Sequence, residues 1–141
     1  MTTYKRSACA VLMRPRDGPE SYELYIVRRS ASLAFLGGYQ VFPGGTVDPI
    51  DSQVTVKGMD TDLDMAAAAV RELFEETGVL CVPGAEHLSQ ETLTDMRAEL
   101  LDTSEGWGAF LEKHGLTIDG SEFTHLGRWV TPPYTPTRYD A

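Results

Sequence analysis

Residues 70–79 read Val-Arg-Glu-Leu-Phe-Glu-Glu-Thr-Gly-Val, and they decide the fold and the chemistry expected of this chain. Four alanines, Ala66–Ala69, precede them and favour a helix, with Asp64 predicted as its N-cap and Gly78 as its C-terminal stop. At about 100° per residue, the apolar side chains of this helix share one face. The opposite face carries three carboxylates, those of Glu72, Glu75 and Glu76. The sequence therefore predicts a helix that is buried on one face and acidic on the other.

The acidic face suggests a site for a divalent cation. Carboxylates at this spacing repel one another by roughly 0.2–0.5 kcal/mol per pair, so the helix gains nothing from them alone. Mg²⁺ would reverse that repulsion, because it takes oxygen ligands and leaves part of its shell for water and substrate phosphates. Arg71 lies one turn before Glu75 and is expected to pair with it and hold its rotamer. The alternative is a solvated acidic surface, the commoner meaning of an isolated Glu-x-x-Glu-Glu.

A second segment, Phe42-Pro43-Gly44-Gly45, lies upstream of the helix. Two glycines after a proline permit a close approach of the main chain, although a plain tight turn is the alternative. Together the two segments resemble the Nudix hydrolase family. Its box reads Gly, five residues, Glu, seven residues, then Arg-Glu-apolar-x-Glu-Glu-x-Gly-apolar. The second half matches at every fixed position from Arg71 to Val79.

The first half of the box departs from the family pattern. With Gly45 as the opening glycine, 25 residues separate it from Arg71, where the pattern has 13. The residue eight positions before Arg71 is Leu63 rather than Glu. We therefore expect an insertion of about a dozen residues within Asp48–Leu63, and the loss of one box carboxylate.

The resemblance implies an α/β fold, the Nudix α/β/α sandwich with a mixed β-sheet. It also implies Mg²⁺ or Mn²⁺ as cofactor, with Arg71 in a supporting catalytic role. The metal ligands that it implies are Glu72, Glu75, Glu76 and the main-chain carbonyl of Gly44. The expected reaction is attack of an activated water on the diphosphate of a nucleoside diphosphate linked to another group. Glu72 is the first candidate for the general base, and Glu122 is the second.

Further residues resemble the coenzyme A diphosphatase-like branch of the family. They are Arg29-Ser30, Phe35, the run Val41–Gly45, Trp129 and Arg138. Substrate contacts are expected from Arg28, Arg29, Phe42 and Gly45, although the arginines alone are as well explained as surface charge. Coenzyme A or an acyl-CoA is the expected substrate, with nucleotide sugars, dinucleoside polyphosphates and ADP-ribose as alternatives. The alternative function is a catalytically silent domain that binds a nucleotide ligand and regulates or positions a partner.

Length and composition indicate one domain over residues 1–141, since 42% of the residues are hydrophobic. Twelve basic and 21 acidic residues give a formal net charge of -9, which opposes binding to nucleic acid or to an anionic membrane. No apolar run of about 20 residues occurs, and no signal peptide is evident, so a cytoplasmic protein is expected. Cys9 and Cys81 are expected to be buried free thiols. A homodimer and a fused second domain are both open.

The remaining elements are predicted from short apolar patterns. Strands are expected at Ser7–Met13, Tyr22–Arg28, Val79–Val82 and Leu126–Val130, the first two as a hairpin. Helices are expected at Thr92–Leu101 and Gly106–His114, the second with a core stripe of Trp107, Phe110 and Leu111. The segments 129–132 and 136–140 resemble a late part of coenzyme A diphosphatase-like Nudix proteins in which the chain continues into another apolar strand. We therefore expect a chain that continues past residue 141 or that completes its sheet in another way.

Overall fold

A computed structural model describes residues 4–18, 20–33, 36–103, 106–135 and 137–141. Its helices are α1 (Leu63–Thr77), α2 (Gln90–Asp102) and α3 (Trp107–Lys113). Its strands are β1 (Lys5–Cys9), β2 (Met13–Pro15), β3 (Tyr22–Leu24), β4 (Val27–Arg28), β5 (Gln40–Val41), β6 (Gly44–Thr46), β7 (Val56–Lys57), β8 (Ile118–Asp119) and β9 (Tyr139–Asp140). Short 3₁₀ turns lie at Pro49–Gln53, Ala85–His87 and Gly120–Glu122.

The main sheet is mixed, as the sequence predicts. Its central strand β1 runs antiparallel to β6, with Cys9 opposite Gly44, and parallel to β9, with Lys5 opposite Tyr139. Three two-stranded pairs surround it: β2 with β3 and β4 with β5 are antiparallel, and β7 with β8 is parallel. Strand β5 ends just before the Phe42–Gly45 turn, and β6 begins inside that turn. The β4–β5 pair and the main sheet therefore hold this turn from its two ends.

Helix α1 lies across β1 and β6 and also packs against α2 and the 3₁₀ turn at Pro49–Gln53. Its buried apolar residues are Ala67, Ala68, Val70, Leu73 and Phe74. Gly78 ends the helix in the left-handed region, with φ 77°, as predicted. The predicted N-cap is wrong. Asp62 occupies the N-cap position, and Asp64 lies in the first turn, where its carboxylate pairs with Arg6 of β1. The negative charge of Asp64 is also stabilising there, because the N-terminus of a helix carries partial positive charge.

The hydrophobic core lies between α1, α2, α3 and the β7–β8 pair. Trp107 and Phe110 stack with ring centroids 5.5 Å apart, and Phe74 of α1 approaches Phe110 at 6.2 Å. Leu111 is also buried, so the predicted core stripe on α3 is confirmed. The two predicted later helices are confirmed as α2 and α3, and the Ser89 side chain caps α2 by accepting a hydrogen bond from the Thr92 amide.

Two predicted strands are each divided in the structure. The Ser7–Met13 segment contains the end of β1 and the start of β2, and the Tyr22–Arg28 segment contains β3 and β4. The division follows from the pairing: β1 pairs with β6 and β9, whereas β2 pairs with β3, so the two strands join different sheets. The predicted hairpin is confirmed for β2 and β3, where Met13 lies opposite Leu24.

Two other strand predictions are wrong. Val79–Val82 is irregular although Leu80 and Val82 are buried, because these side chains enter the core without a strand partner. Leu126–Val130 forms only a bridge at its last residue, which pairs with Asp140. Its apolar side chains are largely exposed, with Leu126 and Trp129 each at 69%, so burial does not support a strand there.

The cysteines are both free, as expected, but their predicted burial is only partly right. Cys9 is exposed at the end of β1, whereas Cys81 is partly buried. Among the described residues, no helix is long and apolar enough to cross a membrane.

Candidate active site

A buried ion pair between Arg71 and Asp51 is the centre of the site. Nε and Nη2 of Arg71 each donate to a different carboxylate oxygen of Asp51 at 2.9 Å, and Nη2 also donates to the carbonyl oxygen of Thr46 at 3.1 Å. Arg71 is 4% exposed and Asp51 is fully buried. Burial opposes the charged guanidinium, but the hydrogen bonds and charge of Asp51 prevail and raise the pKa of Arg71.

Asp51 corrects the expectation that one box carboxylate is absent. Counting back from Arg71 leads to Leu63, which begins α1 and is 37% exposed. Counting forward from Gly45 leads to Asp51 after five residues, the spacing that the box requires for its first acid. Its carboxylate also accepts a hydrogen bond from the Asp48 amide at 2.8 Å, which orients it within the 3₁₀ turn. The signal was therefore present in the first half of the box, with Asp in place of Glu.

Arg71 also holds two of the three predicted metal ligands. Its Nη1 lies 3.1 Å from Oε1 of Glu72 and 3.4 Å from Oε2 of Glu75, so the predicted pairing with Glu75 is confirmed. Burial raises the pKa of Glu72, and the charges of Glu75 and Glu76 act in the same direction, while Arg71 opposes them. The Arg71 guanidinium thus connects the buried Asp51 to the acidic face of α1.

The Phe42–Gly45 turn lies directly against this acidic face. The amide of Gly44 donates to Oε2 of Glu76 at 3.1 Å. A Cβ atom added to Gly45 would lie 2.3 Å from the carboxyl carbon of Glu72, so only glycine leaves room for that carboxylate. The structure therefore brings together the two sequence segments that carry the resemblance. The role of the Gly44 carbonyl as a metal ligand stays a prediction.

The predicted substrate contacts lie beside this turn or lead into it. Arg28 ends β4, which pairs with β5, and its Nε lies 3.4 Å from the carbonyl oxygen of Gly38. Arg29 is partly buried, and within the described part of the chain its Nε has no hydrogen-bond partner. Phe42 is 36% exposed at the start of the turn. Their roles in binding stay predictions.

Other residues named from the sequence lie outside the glutamate cluster. Glu122 is exposed in the last 3₁₀ turn, which follows β8. The Arg138 guanidinium stacks over the ring of Tyr4, 4.3 Å from its centroid, and is thereby occupied by an aromatic neighbour. Phe35 lies outside the described residues.

The three glutamates suit a hard divalent ion in their chemistry. They supply carboxylate oxygens, and their mutual repulsion would be relieved by a cation. In the arrangement described, however, no group of three or more His, Cys, Asp and Glu side chains among residues with assigned structure is placed to hold a metal ion. Arg71 and the Gly44 amide are their partners instead.

The mixed sheet places a Gly-Gly turn against the face of one helix that carries an arginine and three glutamates. This arrangement defines an α/β domain with an acidic site that is supported by an arginine. The family model described as the NUDIX domain matches residues 3–133, so the chain belongs to the Nudix family. The crystal structure of a NUDIX hydrolase from Alicyclobacillus acidocaldarius is similar, with a TM-score of 0.80 and 34% sequence identity. That match covers 99% of this chain and 68% of the other, and it confirms the α/β Nudix fold.

A curated relative is found in Caenorhabditis elegans, where it carries the provisional name nudix hydrolase 7. It is 28% identical over 142 aligned residues, which cover 99% of this chain. The chain spans 43% of the length of that relative.

Proposed function

We propose that this chain is a metal-dependent hydrolase that cleaves the diphosphate linkage of a nucleoside diphosphate linked to another group. The observation that carries the proposal is the acidic face of α1. Arg71 pairs there with Glu72 and Glu75, and the Gly44 amide donates to Glu76. Gly45 lies against the carboxylate of Glu72. Membership of the Nudix family supports the same reaction class.

Glu72, Glu75, Glu76 and the Gly44 carbonyl are the residues that would hold Mg²⁺ or Mn²⁺. When bound, the ion would supply charge neutralisation for the diphosphate and would lower the pKa of a water ligand. Without the ion, the acidic face would repel an anionic substrate. The protein's own contribution is to keep the carboxylates grouped on one face of α1. Arg71 performs that task from a buried position, with Asp51 fixing its guanidinium plane through two hydrogen bonds.

Glu72 is the proposed general base. A catalytic base works best with a pKa near the working pH, and burial shifts the pKa of Glu72 upward, in that direction. The Glu72 side chain is 17% exposed, so it is neither fully buried nor freely solvated. A proton taken from the attacking water would be held on a carboxylate oxygen of Glu72, whose position is limited on one side by Gly45 and on another by Arg71.

Coenzyme A or an acyl-CoA is the proposed substrate, based on the branch resemblance. The β4–β5 pair supports it, because Arg28 ends β4 and Arg29 follows directly, so both lie beside the strand that leads to Phe42. That placement would let basic side chains meet phosphate groups while Phe42 contacts a less polar part of the same molecule. Nucleotide sugars, dinucleoside polyphosphates and ADP-ribose are the competing substrates.

The catalytically silent alternative is weakened by Asp51. One ground for that alternative is a missing box acid, and Asp51 occupies the required spacing and pairs with Arg71. The two functions differ in a direct measurement: a silent domain binds nucleotide without turnover.

The test is incubation with a panel of nucleoside diphosphate derivatives, with and without Mg²⁺ or Mn²⁺, followed by mass analysis of the products. We expect metal-dependent hydrolysis, reduced at least about a hundredfold by Glu72→Gln and by Glu76→Gln. Glutamine keeps an oxygen that can accept the Gly44 amide while removing the charge. Glu91→Gln, at an exposed position of α2, is the matched control. Near-wild-type activity in both site variants would refute the proposed site.

A further inference from the structure

Arg97 of α2 reaches the last turn of α1 at the two residues that carry adjacent carboxylates. Its Nε donates to the main-chain carbonyl oxygen of Glu75 at 2.8 Å. Its Nη2 donates to the same carbonyl and lies 3.4 Å from the carbonyl oxygen of Glu76. The stem of Arg97 lies beside the stop glycine, since a Cβ atom added to Gly78 would be 3.7 Å from its Cδ. The contact therefore joins α2 to the last turn of α1.

The carbonyl of Glu75 needs this donor because the helix does not supply one. In a continuing helix, the amide of Val79 would donate to it. Here the Val79 amide donates to Oγ1 of Thr77 at 3.1 Å, and Gly78 donates to Phe74. Arg97 thus takes the place of the missing helical donor.

The charge of Arg97 also suits this end of α1. Helix C-termini carry partial negative charge, and cations there are stabilising. The last turn of α1 has no basic residue of its own, while Glu75 and Glu76 add two carboxylates. A cation from α2 therefore adds positive charge at a helix end whose last turn has none of its own.

We propose that Arg97 is a positioning residue for the candidate metal ligands on α1. By holding the main chain of Glu75 and Glu76, it fixes the direction in which both carboxylates leave the helix. It acts through the backbone and contacts neither substrate nor reacting atoms. The inference rests on the proposed function, because its consequence is the affinity of the glutamates for a divalent ion.

Positioning and simple charge have opposite consequences for cation binding. If Arg97 acted only as a nearby positive charge, Arg97→Gln would remove repulsion and tighten the binding of a divalent ion. If Arg97 holds the ligand backbone, the same change weakens binding because the glutamates lose their fixed arrangement. Arg97→Lys keeps the charge but lacks the planar fork that spans two carbonyls, so it separates the two effects further.

The experiment measures Mn²⁺ binding to the full chain by electron paramagnetic resonance, without substrate. We expect the Mn²⁺ dissociation constant to rise about tenfold in Arg97→Gln and by a smaller factor in Arg97→Lys. Arg14→Gln removes one positive charge from a residue of β2 whose side chain is 79% exposed, and it is the matched control. Hydrogen exchange of residues 74–79 in the metal-free protein should become faster in Arg97→Gln and stay unchanged in the control.

The outcomes distinguish this role from the proposed function. Unchanged or tighter Mn²⁺ binding in Arg97→Gln, with a wild-type protein that binds Mn²⁺, overturns the positioning role alone. Failure of the wild-type protein to bind Mn²⁺ and to hydrolyse any substrate overturns the proposed function and this role with it. Unchanged hydrogen exchange at residues 74–79 also overturns the role, because the contact would then not restrain the helix end.

Discussion

Asp51→Asn should destabilise the protein far more than the replacement of an exposed aspartate by asparagine. Asp51 is fully buried and accepts two hydrogen bonds of 2.9 Å from Arg71, which is itself 4% exposed. Removing one partner of a buried ion pair costs about 3–5 kcal/mol, because the other charge stays buried without compensation. Glu72 and Glu75 remain near the guanidinium, at 3.1 and 3.4 Å, so we expect a loss near the lower end, about 3 kcal/mol.

The assay is equilibrium unfolding in urea at pH 7, followed by far-ultraviolet circular dichroism. With a denaturant dependence of about 2 kcal/mol per molar urea, a loss of about 3 kcal/mol lowers the midpoint by about 1.5 M. The folded state should still be populated without urea, because domains are typically stable by about 5–15 kcal/mol. The wild-type midpoint must therefore be well above 1.5 M for the full shift to be visible.

Asp48→Asn is the matched control from the same segment. The carboxylate of Asp48 is 3.7 Å from Nη2 of Arg71 and its side chain is 54% exposed, so its loss should cost less than about 1 kcal/mol. Equal midpoint shifts for the two variants would refute the reasoning, since burial would then have no influence. An unchanged midpoint for Asp51→Asn would show that the Arg71 pair does not support the fold.

Two further predictions test the glycine turn and the start of α1. Gly45→Ala should displace the Glu72 carboxylate, because the new Cβ would lie 2.3 Å from its carboxyl carbon. We expect kcat to fall about a hundredfold while the urea midpoint stays close to that of the wild type. A loss of folded protein as large as the loss of activity would contradict this prediction. Asp64→Asn should lower stability by about 0.5 kcal/mol at pH 7, because the hydrogen bond from the half-exposed Arg6 lowers the pKa of Asp64. That stability is present above the unfolded pKa of about 3.9 and is lost as pH falls through the lower folded value. Unfolding measured from pH 7 to pH 3 should show the difference from wild type shrink below about pH 4, and a constant difference would exclude this cause.

The acidic helix could be predicted from sequence because its signals are local. Helix propensity, the stop at Gly78 and the spacing of the glutamates all operate within one or two turns. The partner Phe42–Gly45 turn was also recognisable, because its glycines admit a close approach that a side chain would prevent. These features carried the family resemblance, and that resemblance implied a mixed α/β fold and a site formed by α1 and the turn.

Which side chains support that cluster depends on the packing of segments that are distant in the chain. Asp51 meets Arg71 across 20 residues and Arg97 reaches Glu75 across 22, and periodicity within a helix carries no information about either distance. The strand errors have the same origin. Val79–Val82 is apolar without a strand partner, and Leu126–Val130 is apolar yet exposed. Residue type sets local preference, but strand pairing, burial and the partner of an ionic group depend on what the rest of the chain places beside it.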